Sequence, residues 1–420
     1  MTPAKRPAAP QGVAGRRILG NLLAEEDLAT LVLDLPRARG GQLSRPALQA
    51  ASGFATLLRV FAQDGDRLWT PAPVDPARLA EVPGLPRPIL ESGPLDQLPP
   101  VASLLAWCET PGTAAVRAQL PVPAEPASLE GLLYEVLWRL PVPPPVLVAA
   151  VHDRAFHLAL ARQLGQSLPG ARLVSSLDEL EVAAAGIPAW VVKSRFSAAG
   201  RDRHVERGAG SDSAGLPPET RSRVAGLLDR RGPLVFEPWL ERTRDFGLAG
   251  LVVGGSLALI SRHRQLVDRN GRFRGIELPL NTVDFPRLPE DERNVLQEVA
   301  HALAQAGFSG PFGIDGWRYR RPDGSRGSHL LGEINARLTF GLVARTLVDR
   351  LAQPLGFPER GRARLTFSRT APSAAALPLL YPGEPEGSGG GGGAENEGAP
   401  GAWLQIFDTT GQPKKSAPPD

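Results

Sequence analysis

Cysteine occurs once in 420 residues, at Cys108, which excludes an intramolecular disulfide and a cysteine-cluster zinc site. Its neighbours in ASLLAWCET suit a small buried residue better than a nucleophile. A reduced cytoplasm is the expected compartment. Lysine is almost as scarce. Of 47 basic residues only Lys5, Lys193, Lys414 and Lys415 are lysines, so Lys193 is the one far from either end. An excess of either charge is also missing: the formal net charge is +3, too small a field to demand nucleic acid or an anionic membrane. No apolar run approaches the length of a membrane span. The basic N-terminal stretch is followed by Glu25, Glu26 and Asp27, which interrupt any signal-peptide apolar region. There is no GxxxxGK[ST] loop, no GxGxxG fingerprint and no internal repeat.

What is present fits a globular α/β protein of two or three domains, with 42% apolar residues. Residues 1–16, rich in Ala, Pro and Arg, read as a disordered leader. Residues 17–145 read as an N-terminal α/β domain, with a strand at Leu31–Leu35 and a helix over 46–63. Proline-rich loop fills 69–100. A strand or short helix follows at Val101–Trp107, then a helix over 128–140 with Ser128 as N-cap and Pro141 as its stop. From 146 the elements become clearer. An apolar run at Val146–Val151 precedes a helix opened by Asp153-Arg154. A short helix covers 176–186, and Trp190–Val192 form a strand with Lys193 at its exit. A small-residue loop spans 194–203, and a helix ends at Gly232. Beyond it lie a strand at 233–240, a hairpin turning at Gly254-Gly255, a helix over 287–306, a second hairpin around PDGSRG, and a helix over 340–353. Residues 383–401 are a Gly-rich linker, and 402–420 a tail with one apolar segment that either adds a strand or docks on the body.

The stretch HLLGEINARLTFG, 329–341, carries the most chemistry. As a strand it sets Glu333, Asn335 and Arg337 on one face. Oxygen ligands suit Mg²⁺, and an adjacent guanidinium suits phosphate or an acyl phosphate. The alternative is an edge strand with a solvated polar face.

Together with the segments before it, this stretch resembles the ATP-grasp superfamily, of which biotin carboxylase and D-alanine–D-alanine ligase are members. The resemblance covers about residues 146–353 and rests on five stations in the family's order. Asp153-Arg154 stands where those relatives carry Asp-Lys, so Arg154 is expected on nucleotide phosphate. Lys193 matches the lysine that touches α- and β-phosphate, and Ser197 and Gly200 lie in the mobile small-residue loop that follows. Glu237-Pro238-Trp239-Leu240 resembles the hinge that grips adenine, and Asp245 falls where a ribose ligand is placed. Arg262 or Arg264 is implied at the γ-phosphate or acyl phosphate. Asp315, Glu333 and Asn335 match the metal ligands, and Arg337 the arginine of a Glu-x-Asn-x-Arg motif. Gly313 departs from the arginine of the D-alanine–D-alanine ligases.

The resemblance implies an ATP-grasp fold in two lobes, 146–232 and 233–382, preceded by an open α/β domain. It implies a carboxylate–amine ligase that uses ATP and Mg²⁺ (or Mn²⁺), forms an acyl phosphate, and closes the 194–203 loop over it to exclude water. Small carboxylate and amine substrates, an amino acid or peptide among them, are the implied partners, and a homodimer is compatible with the family. A phosphotransferase that stops at a phosphorylated product and a nucleotide-binding protein without turnover are the alternatives.

Overall fold

A computed structural model describes residues 15–33, 44–120, 131–197, 202–208, 215–268, 271–281, 285–321, 323–383 and 399–414. The chain begins with β1 (Arg16–Leu19), α1 (Glu25–Val32) and α2 (Arg45–Ala55), the last running into a 3-10 turn at Thr56–Phe61. Strands β2 (Arg67–Trp69), β3 (Ile89–Glu91) and β4 (Ser103–Ala106) join β1 in a parallel sheet of order β3-β2-β1-β4. Helices α3 (Pro111–Arg117), α4 (Leu133–Arg139), α5 (Pro145–His152) and α6 (Arg154–Gln163) follow.

A smaller antiparallel sheet comes next. It contains β5 (Arg172–Val174), β6 (Ala189–Ser194), β7 (Arg203–Arg207) and β8 (Leu234–Pro238) in the order β5-β8-β6-β7. Helices α7 (Leu177–Ala184) and α8 (Pro218–Arg231) cover it, and Val174, Leu180, Trp190, Val224 and Phe236 form its own core.

The largest sheet has nine antiparallel strands: β9 (Glu241–Val253), β10 (Ser256–Val267), β11 (Phe273–Pro279), β12 (Gly310–Arg320), β13 (Arg326–Asn335), β14 (Arg362–Ser368), β15 (Leu377–Leu380), β16 (Gly401–Phe407) and β17 (Pro413–Lys414). Their order is β13-β12-β9-β10-β11-β14-β16-β15, with β17 also on β16. Helices α9 (Glu290–Gln305) and α10 (Phe340–Leu351) lie on opposite faces of this sheet. Adjacent residues of β10 show this: Arg262 reaches Glu292 of α9, whereas the His263 ring lies against Gly341 of α10.

Several helix starts follow from local chemistry. The Asp153 carboxylate accepts the Ala155 N–H at 2.8 Å, and Ser176 accepts from Glu179 at 3.1 Å. Thr110 and Thr113 cap α3 reciprocally. Three acids, Glu25, Glu26 and Asp27, occupy the first turn of α1, where they favour the helix dipole. That start corrects the strand expected at Leu31–Leu35: Leu31 and Val32 are the last turn of α1. A five-residue apolar run does not by its period distinguish helix from strand.

The expected segment boundaries also shift. Strand β8 belongs to the small sheet, so the change of layer comes after Pro238 rather than at 233. The apolar tail segment is β16, paired with β14 on one side and β15 on the other. Residues 145–146 mark no break in packing, because Ile18, Leu28, Val148, Ile334 and Leu365 share one continuous core. Arg16, assigned to the leader, starts β1, while residues 1–14 lie outside the described residues. So do Ser128, Gly200, most of the 194–203 loop's centre, the Gly-rich run and the last six residues.

Candidate active site

The two antiparallel sheets meet where α6 begins, and Arg154 joins them. Its guanidinium donates to the Ser194 carbonyl at 2.6 Å, to the Ser197 hydroxyl at 3.0 Å and to the Ser197 carbonyl at 3.0 Å, all on the small-sheet side. From the large sheet it takes Glu333 at 2.8 Å. Asp153, besides capping α6, holds Arg195 in an ion pair. The dipeptide thus works as one unit: the acid shapes the helix start while the guanidinium spans the cleft.

Lys193, next to last in β6, is ion-paired with Glu237 of β8. Burial, with Arg242 and Arg154 close by, holds the ammonium below its ordinary value against the pull of Glu237. Burial alone would raise the Glu237 carboxyl, but Lys193, His329 and Arg242 outweigh it and keep it low. Below this pair lies Trp317, with Lys193 Nζ 5.7 Å and the Arg242 guanidinium 3.8 Å from its ring centre. Gly332 permits this, since a Cβ there would fall 2.1 Å from the Trp317 ring. Trp317 also packs with Leu158, Val235 and Leu240, so the indole is buried between the two sheets.

Cross-strand register brings the carboxylates together. Asp315 pairs with Glu333 and Gly313 with Asn335 across β12 and β13. Asn335 donates to Asp315 at 3.2 Å, and Gln265 of β10 donates to its other oxygen. Burial and the Glu333 charge push the Asp315 carboxyl up to about 7. Burial opposes ionisation of Glu333 as well, but Arg154, His157 and Lys193 hold it below its usual range. The half-buried Asp315 and Glu333 carboxylates lie together beside the Asn335 amide, and their second negative charge is costly without a cation. That chemistry fits Mg²⁺, which takes few protein ligands and completes its shell with phosphate and water. Among the described residues no group of three or more His, Cys, Asp or Glu side chains is placed to hold a metal.

Two histidines fix the strand that carries these groups. β13 is an edge strand, and its outward N–H groups need acceptors. His157 Nδ1 accepts from Ile334 N–H at 3.2 Å, and His152 Nδ1 accepts from Ala336 N–H at 3.2 Å. His157 Nε2 lies 3.2 Å from the Val151 carbonyl, which defines the neutral tautomer with hydrogen on Nε2. Burial lowers its pKa to about 4 and that of His152 well below the ordinary value.

Not every expected residue comes to the cleft. Arg262 and Arg264 share the opposite face of β10. Arg262 holds both oxygens of Glu292, at 2.7 and 2.9 Å, and Arg264 lies across from Glu277. The residues that face Asp315 from β10 are His263 and Gln265, because His263, Gly247 and Asp315 are in register on neighbouring strands. Asp245 accepts from Arg242 at 2.9 Å, and the Trp239 amide donates to the Ala189 carbonyl at 2.8 Å. Arg337 reaches away from the carboxylates: Nη2 lies 3.1 Å from Glu25 of α1, Nη1 donates to the Leu338 carbonyl at 3.0 Å, and the guanidinium sits 4.9 Å from the Trp107 ring centre.

No family model matches the chain, and no curated protein matches its sequence. Solved structures do match. An N5-carboxyaminoimidazole synthetase from Staphylococcus aureus superposes with a TM-score of 0.50 at 10% identity, over 94% of this chain and 94% of that one. The chain has the ATP-grasp fold. Two further similar structures are N5-carboxyaminoimidazole ribonucleotide synthetase from Thermus thermophilus (TM-score 0.49, 15% identity, 94% of each chain) and biotin carboxylase from Campylobacter jejuni (0.49, 11%, 94% of this chain and 87% of that one). At such identity the likeness concerns the fold, and the chemistry rests on the residues above.

Proposed function

We propose that the chain is an ATP-dependent carboxylate–amine ligase. The supporting observation is the cluster around Arg154: a cation from the small sheet (Lys193) and carboxylates from the large one (Asp315, Glu333) come together where the two sheets meet beside Trp317. A nucleoside triphosphate has complementary parts, a flat base for the hinge and a polyphosphate for Lys193 and Arg154. Glu237 is the group that Lys193 leaves when phosphate arrives, and Ser197 keeps Arg154 oriented. Asp315, Glu333 and Asn335 would hold Mg²⁺ or Mn²⁺, which neutralises phosphate charge when bound.

In the reaction a substrate carboxylate oxygen attacks the γ-phosphorus, the bond to the β-phosphate oxygen breaks, and ADP leaves. The amine nitrogen then attacks the acyl carbon, the carbon–oxygen bond to phosphate breaks, and the nitrogen loses a proton. Such steps need positioning and charge stabilisation rather than a protein nucleophile. Arg337 supplies a fixed positive charge on the acyl side. Glu237, Trp239, Leu240 and Asp245 form the base and ribose wall.

Hydroxylamine trapping is the direct test. With MgATP and a panel of carboxylic acids, one acid should give ADP and its hydroxamate. Lys193→Ala and Glu333→Gln should each lower that rate by about 100-fold or more without unfolding the chain. Full activity in both variants would falsify the site, and phosphate retained on the final product would indicate a phosphotransferase instead.

A further inference from the structure

A cavity of about 560 Å³ lies on the far side of Arg337, against the free edge of β4. Its volume is in the range that encloses a small organic molecule. The apolar part of its wall comes from three layers: Leu105 and Trp107 from β4 and its exit, Leu137 and Val148 from α4 and α5, and Phe308 from the approach to β12. Its charged groups are three arginines, Arg117, Arg139 and Arg337, and one acid, Glu109. Glu109 is already committed to Arg117. Arg337 is likewise paired, with Glu25 of α1, so the wall is mainly hydrocarbon with three guanidinium groups set into it.

Two of the arginines, Arg117 and Arg337, have an unused donor. Arg117 gives one terminal nitrogen to the Leu104 carbonyl at 2.8 Å and the other to Glu109, while its buried Nε–H has no acceptor. Arg337 spends its terminal nitrogens on Leu338 and Glu25, and its buried Nε–H likewise has none. Guanidinium Nε–H groups are the side-on donors that a carboxylate accepts from. Ala336 and Arg337 line this cavity and follow directly on Asn335, so the strand bearing the oxygen donor set runs into its wall.

We propose that this cavity holds the carboxylate substrate, and that the substrate is a monocarboxylic acid with an aromatic or branched hydrocarbon body. Its carboxylate takes Arg337, at the end nearest Asn335, and its body lies against Leu105, Leu137, Val148 and Phe308. This rests on the ligase reading for the reaction but not for the binding.

Binding can be measured without turnover, on the full chain, by calorimetry and by the fluorescence of Trp107 and Trp138, both in the wall. The probe is 3-phenylpropionate, with 3-phenylpropanamide and acetate as controls. The acid should bind with a Kd below about 1 mM and each control at least about tenfold more weakly. Val142 lines the cavity and is exposed, so Val142→Trp should fill the space and leave the fold intact, weakening the acid about tenfold. Arg337→Met should abolish the preference for acid over amide. Equal binding of acid and amide, or unchanged affinity in Val142→Trp, overturns the proposal. Adding MgATP and hydroxylamine separates the two readings. Binding without hydroxamate removes the ligase reading and leaves the cavity assignment standing. Hydroxamate from acetate, with no binding of the aromatic acid, does the reverse.

Discussion

Asp315 and Glu333 sit opposite each other on neighbouring strands, and their proximity has a pH signature. The folded Asp315 carboxyl, at about 7, lies above its ordinary value of about 3.9. The stability its proton contributes is therefore fully present below about pH 4 and lost as pH rises through about 7. A divalent cation needs the ionised pair, so Mg²⁺ affinity should climb between about pH 6 and 8. Calorimetric titration across that window checks it, and a flat profile counts against the oxygen set. In Glu333→Gln the like charge is gone, so the Asp315 titration should move to lower pH, readable by carboxyl NMR. Much of this cluster was legible from residue types: Lys193 from lysine scarcity, and Glu333 and Asn335 from strand alternation. That Arg262 and Arg264 lie on the other face of β10 was not readable, because alternation gives two faces without saying which one meets Asp315. That depends on the Gly247–His263 and Gly247–Asp315 registers, which are set by pairing between distant segments. Gln265, Trp317 and His152 gave no local signal for the same reason.

Among the elements, β13 depends most on what lies outside its own sheet. His157 supplies the acceptor for Ile334 N–H, so His157→Leu should cost about 1–3 kcal/mol in chemical denaturation, the cost of stranding a buried donor. It should also weaken Mg²⁺ binding, because Glu333 precedes Ile334. Unchanged stability would mean that the edge finds another acceptor. The buried histidines also make the fold sensitive to acid. His157, His263 and His329 are each held near 4, with burial the main cause. Unfolded histidine takes its proton near 6.5, so stability is intact above that value and falls as pH drops from about 6.5 towards 4. Melting temperatures measured over this interval should decline steadily, with the Asp315 contribution opposing only one of these groups. Sequence patterning revealed the long elements, including α9, α10 and both hairpins, because their apolar periods extend over many residues. It missed β14 although Ala363, Leu365 and Phe367 alternate inward. Seven residues are a short sample, and half-exposed Arg364 and Thr366 lie between the buried positions. For α1, the three acids of the first turn held the better information than the apolar run that followed.

At the scale of the molecule, the C-terminal segments close the structure. β15 and β16 complete the large sheet, and they also reach the N-terminal layer: Arg59 donates to the Leu379 carbonyl at 3.0 Å and Arg78 to the Tyr381 carbonyl at 3.0 Å. Removing residues 399–420 should therefore unfold the large sheet rather than trim it, seen as loss of the cooperative melt. Deleting residues 388–393, the Gly-rich centre of the intervening segment, should leave the melting temperature nearly unchanged, since loop-closure cost varies slowly with length. The shared core between the N-terminal layer and the large sheet was not readable from the sequence, because no local pattern records which surfaces meet. β16 has one further consequence, for the order of events during synthesis. β14 can pair with β11 as soon as it is made, but its other edge stays open until residues 401–407 have left the ribosome. Through that interval the nascent chain presents an unpaired strand bearing Leu365 and Phe367, the form of surface that chaperones shield and that aggregates seed upon.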